Sequence, residues 1–349
     1  FAEMFREPCE IVKKYEGKGI PTNKPWAQGH MDWRIELANS CGCPAIASDI
    51  DASGLSNLRN SEVPVGFKTV EDLKEIIAKA DAPFILKGIM SVRGAKKALE
   101  AGRVQKKSVS EVKEILHQEA LKIRDEDIEV CRKIGENGLS LLKKRDGILT
   151  HCNAGQLATV RYGTATAPIY LGQERGYQFR VFADETRPLL QGARLTAFEL
   201  ASAGVDVTLL CDNMSASLMA KGLVQAVLVG CDRVAANGDT ANKIGTSVVA
   251  TVANYYKVPV YICAPTSTID METPDGAGIV VEQRAGEEVT EMWYKERMAP
   301  EGIKVYNPAF DVTDHELIAG IITEYGVVRA PYQENLRLLM EKKNREVKA

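Results

Sequence analysis

Beyond residue 146 the chain alternates short apolar runs with amphipathic or alanine-rich stretches. The runs 148–152, 179–184, 205–212, 226–232 and 258–264 are predicted strands, and 189–203 and 242–256 are among the helical stretches between them. Uninterrupted apolar strands separated by helices predict a parallel, doubly wound sheet. Such sheets bind ligands at the carboxyl ends of their strands. Polar residues gather at those ends: Cys152-Asn153, Asp184-Glu185, Asp212-Asn213, Asp232-Arg233 and Pro265-Thr266-Ser267-Thr268. That clustering points to an active site without reference to any family.

Upstream, Ser108 and Glu111 form a capping box, followed by Val112, Ile115, Leu116 and Ile123 on one helical face. A second helical pattern runs through Ile128, Cys131 and Ile134 toward Leu142. The region before residue 104 reads differently: strand 43–49, helix 69–80, strand 84–87, then helix 93–101. This fragment is too short to close a sheet or a barrel.

Composition narrows the class. Of 349 residues, 45% are hydrophobic and 26% charged, the balance of a soluble globular protein. A net charge of −3, with no basic block interleaved with aromatics, argues against nucleic-acid binding. No apolar run approaches the ~20 residues needed to span a bilayer. Of the eight cysteines only Cys41 and Cys43 lie close together, and C-x-C is not the paired spacing of a zinc site. Reduced thiols in the cytoplasm are expected, and no metal or cofactor is called for. No secretory signal is recognisable, and Phe1 in place of an initial Met implies a missing or processed N-terminus.

Three segments carry charged or hydrogen-bonding groups directly after an apolar strand: 150–155 (THCNAG), 184–195 (DETRPLLQGARL) and 230–246 (GCDRVAANGDTANKIGT). A carboxyl buried at a strand end has a raised pKa, which suits a proton shuttle. A thiol among polar strand ends can stabilise a developing oxyanion. Lys243 and Asn242, beside Gly245 at a predicted helix start, suit a phosphate through an ammonium and free backbone N–H groups.

Together these segments resemble the methylthioribose-1-phosphate isomerase family of methionine salvage. CDNM at 211–214, APTSTID at 264–270, YNPAFDVT at 306–313 and GVVR at 326–329 extend the resemblance over 104–334. It implies an aldose–ketose isomerase that acts on a sugar phosphate and works as a cytoplasmic homodimer. Cys152 would stabilise the transition state, Asp232 would donate a proton, and Gln191, Asn242 and Lys243 would hold the substrate. Ribose-1,5-bisphosphate isomerase and a non-catalytic regulatory subunit of the initiation-factor 2B type are the alternatives.

Residues 20–103 instead resemble a fragment of an FMN-dependent α-hydroxy-acid dehydrogenase, through SDIDASGL at 48–55 and PFILKGIM at 83–90. In that family Lys87 would meet the flavin, but the segments carrying the base and the phosphate-binding strands are missing, so flavin chemistry is not expected. Arg93, Gly94 and Ala95 match three letters of an isomerase substrate turn, although Lys96 follows where that family has Pro.

The resulting fold class is α/β. A Rossmann-like doubly wound domain (147–349) follows a helical connection (104–146) and a barrel-like α/β fragment (1–103). Blander roles are expected elsewhere. Cys211, Cys231 and Cys263 read as small buried hydrophobes, and His151 as a packed side chain. Asp212 is either a helix cap or a support for the site. Arg187 and Arg194 read as salt-bridge or interface residues, Lys87 as inert, and 341–349 as a frayed helix end.

Overall fold

The structure is a computed structural model that describes residues 22–23, 46–49, 84–87 and 109–346. The chain divides into two units, Phe1–Ile123 and Arg124–Ala349. In the first, β1 (Thr22–Asn23), β2 (Ile46–Asp49) and β3 (Phe84–Lys87) form a parallel sheet in the order β1-β2-β3, with Asp49 opposite Lys87. The two strands expected in this region are therefore present. The helices expected at 69–80 and 93–101, and the triplet Arg93, Gly94 and Ala95, lie outside the described residues.

Helix α1 runs unbroken over Val109–Leu139. Two helical segments were expected here, because the stretch Arg124-Asp125-Glu126-Asp127 interrupts the apolar stripe. It contains no Pro or Gly, however, so the stripe stops while the helix continues. No helix among the described residues is long and apolar enough to cross a membrane.

The second unit is built on seven strands, in the order β14-β13-β10-β7-β4-β5-β6. They are β4 (Gly147–Thr150), β5 (Arg180–Asp184), β6 (Asp206–Leu210), β7 (Ala226–Val229), β10 (Val260–Cys263), β13 (Gly320–Thr323) and β14 (Gly326–Val328). All neighbours are parallel except β13 and β14. β4, β7, β10 and β13 are buried along their whole length, whereas β6, at the edge, is mostly exposed.

Because side chains alternate along a strand, each central strand feeds two cores. Leu149, Val227, Val229, Val260, Ile262 and Ile321 belong to one core, packed with Val249 and Ala253 of α5 (Thr246–Tyr255) and Leu336 of α7 (Tyr332–Glu346). Ile148, Leu228, Tyr261, Cys263 and Ile322 belong to the other. There they join Ile134 of α1, Ile169 and Leu171 of α2 (Ala167–Glu174) and Leu200 of α3 (Ala197–Ser202). Helices thus cover both faces of a sheet in which every strand but β14 points its carboxyl end the same way. Fully burying one such aliphatic side chain contributes ~1.5–3 kcal/mol.

A second, four-stranded sheet was not anticipated. β8 (Arg233–Ala235) and β9 (Thr240–Lys243) form an antiparallel hairpin, with β11 (Ile269–Asp270) beside β8 and β12 (Phe310–Thr313) beside β9. Its turn holds Asn237-Gly238, with Gly238 at φ 97°. An Asn-Gly pair is a strong hairpin signal, and in the segment 230–246 it lies among the residues singled out for their chemistry.

Candidate active site

The strand order reverses between β4 and β7: the chain runs outward from β4 through β5 to β6, then returns to place β7 on the other side of β4. Loops leaving two such central strands diverge and open a crevice. β4 delivers His151 and Cys152 to it, and β7 delivers Gly230, Cys231 and Asp232.

Cys152 leaves β4 at φ 67°. This left-handed conformation costs a residue with a Cβ ~1–2 kcal/mol and persists only where neighbours enforce it. The Cys152 N–H donates to Thr186 Oγ1 at 2.8 Å, and its carbonyl accepts from Thr196 Oγ1 at 2.6 Å. Thr186 is itself at φ 67°. Its N–H and that of Arg187 each donate to one oxygen of Asp212, both at 2.7 Å. Asp212 therefore supports the β5 loop, the second of the two roles open to it.

Burial pushes the Cys152 thiol up to about 11, against the pull of the Asn153 N–H and the Lys243 ammonium and helped by Asp232. The thiol therefore stays protonated at neutral pH. The Asp232 side chain reaches solvent, yet the surrounding protein withholds enough water to raise its pKa above the ordinary value, and Lys243 opposes this. Cys152, Asp232 and Lys243 thus share one electrostatic environment.

Asn242 and Lys243 lie on β9, not at a helix start as expected. Lys243 is 8% exposed; its Nζ donates to the Ala309 carbonyl at 2.9 Å and sits 4.7 Å from the centre of the Phe310 ring. Asn242 Nδ2 donates to Thr246 Oγ1 at 3.0 Å. Helix α5 begins only at Thr246, and its amino end is not free. Asp311 Oδ2 accepts from Gly245 N at 2.8 Å, Ser247 N at 3.2 Å and Ser247 Oγ at 2.8 Å. The Gly245 and Ser247 backbone N–H groups, expected to be free for a phosphate, are thus already capped by a carboxylate.

Gln191 ends the β5 loop before a π-helical turn, Gly192–Thr196. Its buried Oε1 has no partner among the described residues, so it is left open to a donor. The loop is fastened from outside: Trp293 Nε1 donates to the Pro188 carbonyl at 2.7 Å, Arg187 donates to the Val289 carbonyl at 2.8 Å, and Arg194 lies 4.7 Å from the Trp293 ring centre. Arg187 and Arg194 are thus loop anchors.

Glu199 is a supporting residue that the sequence concealed. Only 7% exposed, it accepts from Gln156 N at 3.1 Å, Tyr170 Oη at 3.1 Å, Leu157 N at 3.2 Å and Asn153 Nδ2 at 3.3 Å. The only hint was a glutamate next to Leu200 on an otherwise apolar helical face. Cys263 is buried as expected, whereas Cys231 is only half-buried and Cys211 is exposed, because β6 ends at the edge of the sheet.

Two groups have the residue types of a cation site, His151/Asp184/Asp212 and Asp239/Asp314/His315, the donor atoms of each lying within 4.8 Å of one another. Their donors are largely engaged. Asp212 accepts two backbone N–H groups, both ring nitrogens of His151 have partners, and Asp239 accepts from Asn237, Gly276 and His315. A cation at either place would displace these bonds.

The mixed α/β fold with its parallel sheet agrees with what the chain resembles. It belongs to the Initiation factor 2 subunit family, whose pattern matches residues 47–330. Over 241 residues, 69% of this chain and 67% of the relative, it is 68% identical to a methylthioribose-1-phosphate isomerase of Symbiobacterium thermophilum. It is 57% identical over 239 residues (68% of this chain, 67% of the relative) to a 5-deoxyribose 1-phosphate isomerase of Clostridium botulinum. The crystal structure of 5-methylthioribose 1-phosphate isomerase from Pyrococcus horikoshii superposes with a TM-score of 0.68 at 33% identity, covering 97% of this chain and 87% of that one. These matches thus take in about two thirds of each curated relative's length. None of the comparisons supports the flavin-dehydrogenase resemblance of residues 20–103, and the family match already includes 47–103.

Proposed function

We propose that the chain is an aldose–ketose isomerase converting 5-methylthioribose 1-phosphate to 5-methylthioribulose 1-phosphate in methionine salvage. The observation that carries this reading is the placement of Cys152 after β4 and Asp232 after β7 at the switch point of the sheet, with Lys243 on the hairpin arm opposite Asp232. The 68% identity to a named isomerase of this substrate supports it. The strand order, with β4 and β7 central and outer strands added on both sides, supports reading 147–349 as Rossmann-like, after a 104–146 connection and the 1–103 segment.

In the reaction, Lys243 holds the phosphate, and Gln191 and Asn242 orient the sugar. Asp232, whose hold on a proton burial strengthens against the pull of Lys243, acts in its protonated form and gives that proton to the ring oxygen as the bond from that oxygen to C1 breaks. The phosphorylated C1 is left electron-poor, and a hydride moves to it from C2. The hydroxyl on C2 becomes the ketone, and its proton returns to the Asp232 carboxylate, closing the cycle. Cys152, kept as a thiol, donates toward oxygen as charge shifts between C1 and C2. A thiol near 11 stays protonated at neutral pH, so Cys152 itself does not serve as a base at C2.

The test is turnover of purified full-length chain with this substrate, and with the 5-deoxy and 5-phospho analogues in parallel. Preference for the deoxy sugar would reassign the substrate in line with the Clostridium relative, and activity on none of them would favour a regulatory role. In D2O, hydride transfer leaves C1 of the product free of solvent deuterium. A cytoplasmic homodimer is the proposed setting. The free thiols Cys131, Cys152, Cys211, Cys231 and Cys263 support a reducing compartment, and exposed Phe198, Leu209 and Tyr255 offer apolar surface to a second copy.

A further inference from the structure

The buried pair His151 and Asp184 touches no substrate in the reaction above, yet its geometry says more than packing requires. His151 is 1% exposed and Asp184 0%. His151 Nε2 lies 2.9 Å from the Ile244 carbonyl oxygen. A carbonyl only accepts, so Nε2 carries a hydrogen. Nδ1 faces Asp184 Oδ2 at 3.1 Å. If Asp184 were ionised and Nδ1 bare, two lone pairs would oppose each other in a dry interior. One further proton therefore lies between Nδ1 and Oδ2, and the pair is neutral as a unit. A neutral unit is also what burial favours.

The charges around the pair point the same way. Burial alone would lower the His151 pKa, but Asp184, the Ile244 carbonyl and Asp212 together carry it above its ordinary value. Burial lifts Asp184 to about 6 against the pull of His151, with Asp212 and Glu185 adding to the rise.

The pair joins three loops. His151 immediately precedes Cys152, and Asp184 ends β5, its carbonyl accepting from Thr186 Oγ1 at 3.1 Å, the same hydroxyl that receives the Cys152 N–H. Ile244 lies between Lys243 and Gly245. Gly245 sits at φ 103°, and a Cβ there would come within 2.9 Å of His151 Cε1 and Nε2. Contact this close is possible only against glycine.

We propose that His151 and Asp184 are positioning residues for the isomerisation, a neutral proton-sharing pair that clamps the Cys152 turn to the 243–245 loop and so sets thiol and ammonium against one substrate. This rests on the functional reading above. Three variants of the full chain test it, with kcat and KM read separately below the melting temperature. Asp184→Asn supplies an amide N–H to Nδ1 in place of the shared proton, and its kcat should stay within ~3-fold of the parent. His151→Gln still reaches Ile244 with an amide N–H and should lose ~10-fold, whereas His151→Asn is too short and should lose ~100-fold, the effect of a ~1 Å misplacement. Iodoacetamide labelling of Cys152, followed by peptide mass spectrometry, should quicken ~10-fold in His151→Asn alone as the turn loosens.

Equal losses in the Gln and Asn variants overturn the proposal, as does a His151→Asn enzyme with parental kcat and labelling. If His151→Asn does not fold, Asp184→Asn decides, and a loss beyond ~10-fold there overturns the neutral pair. A parent chain inactive on every sugar phosphate overturns the functional reading instead, and the labelling difference then decides the positioning role by itself.

Discussion

Glu199→Gln puts the support of Cys152 to a quantitative test. Four donors converge on the carboxylate, two on each oxygen: Gln156 N and Tyr170 Oη on Oε1, Leu157 N and Asn153 Nδ2 on Oε2. An amide keeps one acceptor and turns the other into a donor, so either orientation sets its NH2 against one backbone N–H. The Tyr170 hydroxyl can rotate away. Asn153 cannot usefully flip, because its Nδ2 also serves Thr196 Oγ1 at 3.0 Å, whose own hydrogen goes to the Cys152 carbonyl.

The variant therefore strands one half-buried backbone N–H, at ~1–3 kcal/mol, and weakens the remaining bonds from charge-assisted to neutral, at ~1 kcal/mol. A total of ~2–4 kcal/mol corresponds to a melting temperature lower by ~5–10 °C, readable by calorimetry. Because Asn153 follows Cys152, kcat should fall ~10-fold or more at a temperature where the variant remains folded. A variant that melts within ~1 °C of the parent and retains its kcat would refute the assignment of Glu199 as the anchor of this turn.

Further outcomes are expected. Cys152→Ala and Asp232→Asn should each lower kcat by ~100-fold or more while melting close to the parent, checked by steady-state kinetics and circular dichroism. Gly245→Ala forces a Cβ against the His151 ring from a positive φ and should destabilise by ~2–4 kcal/mol in urea titration. Asp239 is held down to about 2, because hydrogen bonds from Asn237, His315 and Gly276 outweigh burial. A depressed carboxylate stabilises the fold above its unfolded pKa, near 3.8, and that contribution disappears as pH falls toward 2. Asp239→Asn should therefore flatten the acid limb of the stability curve by ~1–2 kcal/mol after solvent screening.

How much of this was legible depended on whether the signal was local. The parallel strands were, because β4, β7 and β10 are buried on both faces and so read as unbroken apolar runs. The polar residues at their ends marked the crevice at the switch point for the same reason. Glu199 and Asp311 were not legible. Each acts on backbone brought to it from elsewhere in the chain, 42 or more positions away for Glu199 and 64 or more for Asp311, and no periodicity encodes such a meeting. The 242–256 run misled because Asn242 and Lys243 adjoin a helical stretch while lying on a strand paired with β12, where Lys243 faces Phe310 and Asn242 faces Asp311.

The Asn237-Gly238 hairpin has a consequence for how sequences of this kind can change. Asp232 and Lys243 stand on opposite arms of one tight turn, with the Asp232 N–H donating to the Ala241 carbonyl at 2.9 Å. The gap between acid and cation is thus measured off by the turn, as by a caliper of fixed opening. One residue added to or removed from either arm would slip the pairing and send alternate side chains to the wrong face. The segment between β11 and β12 leaves and rejoins the same sheet without setting that distance. Length variation should accumulate there, away from the Val289 and Trp293 anchors, and be purged from the hairpin, so a library of insertions read out by activity ought to be depleted across the hairpin and populated in that segment.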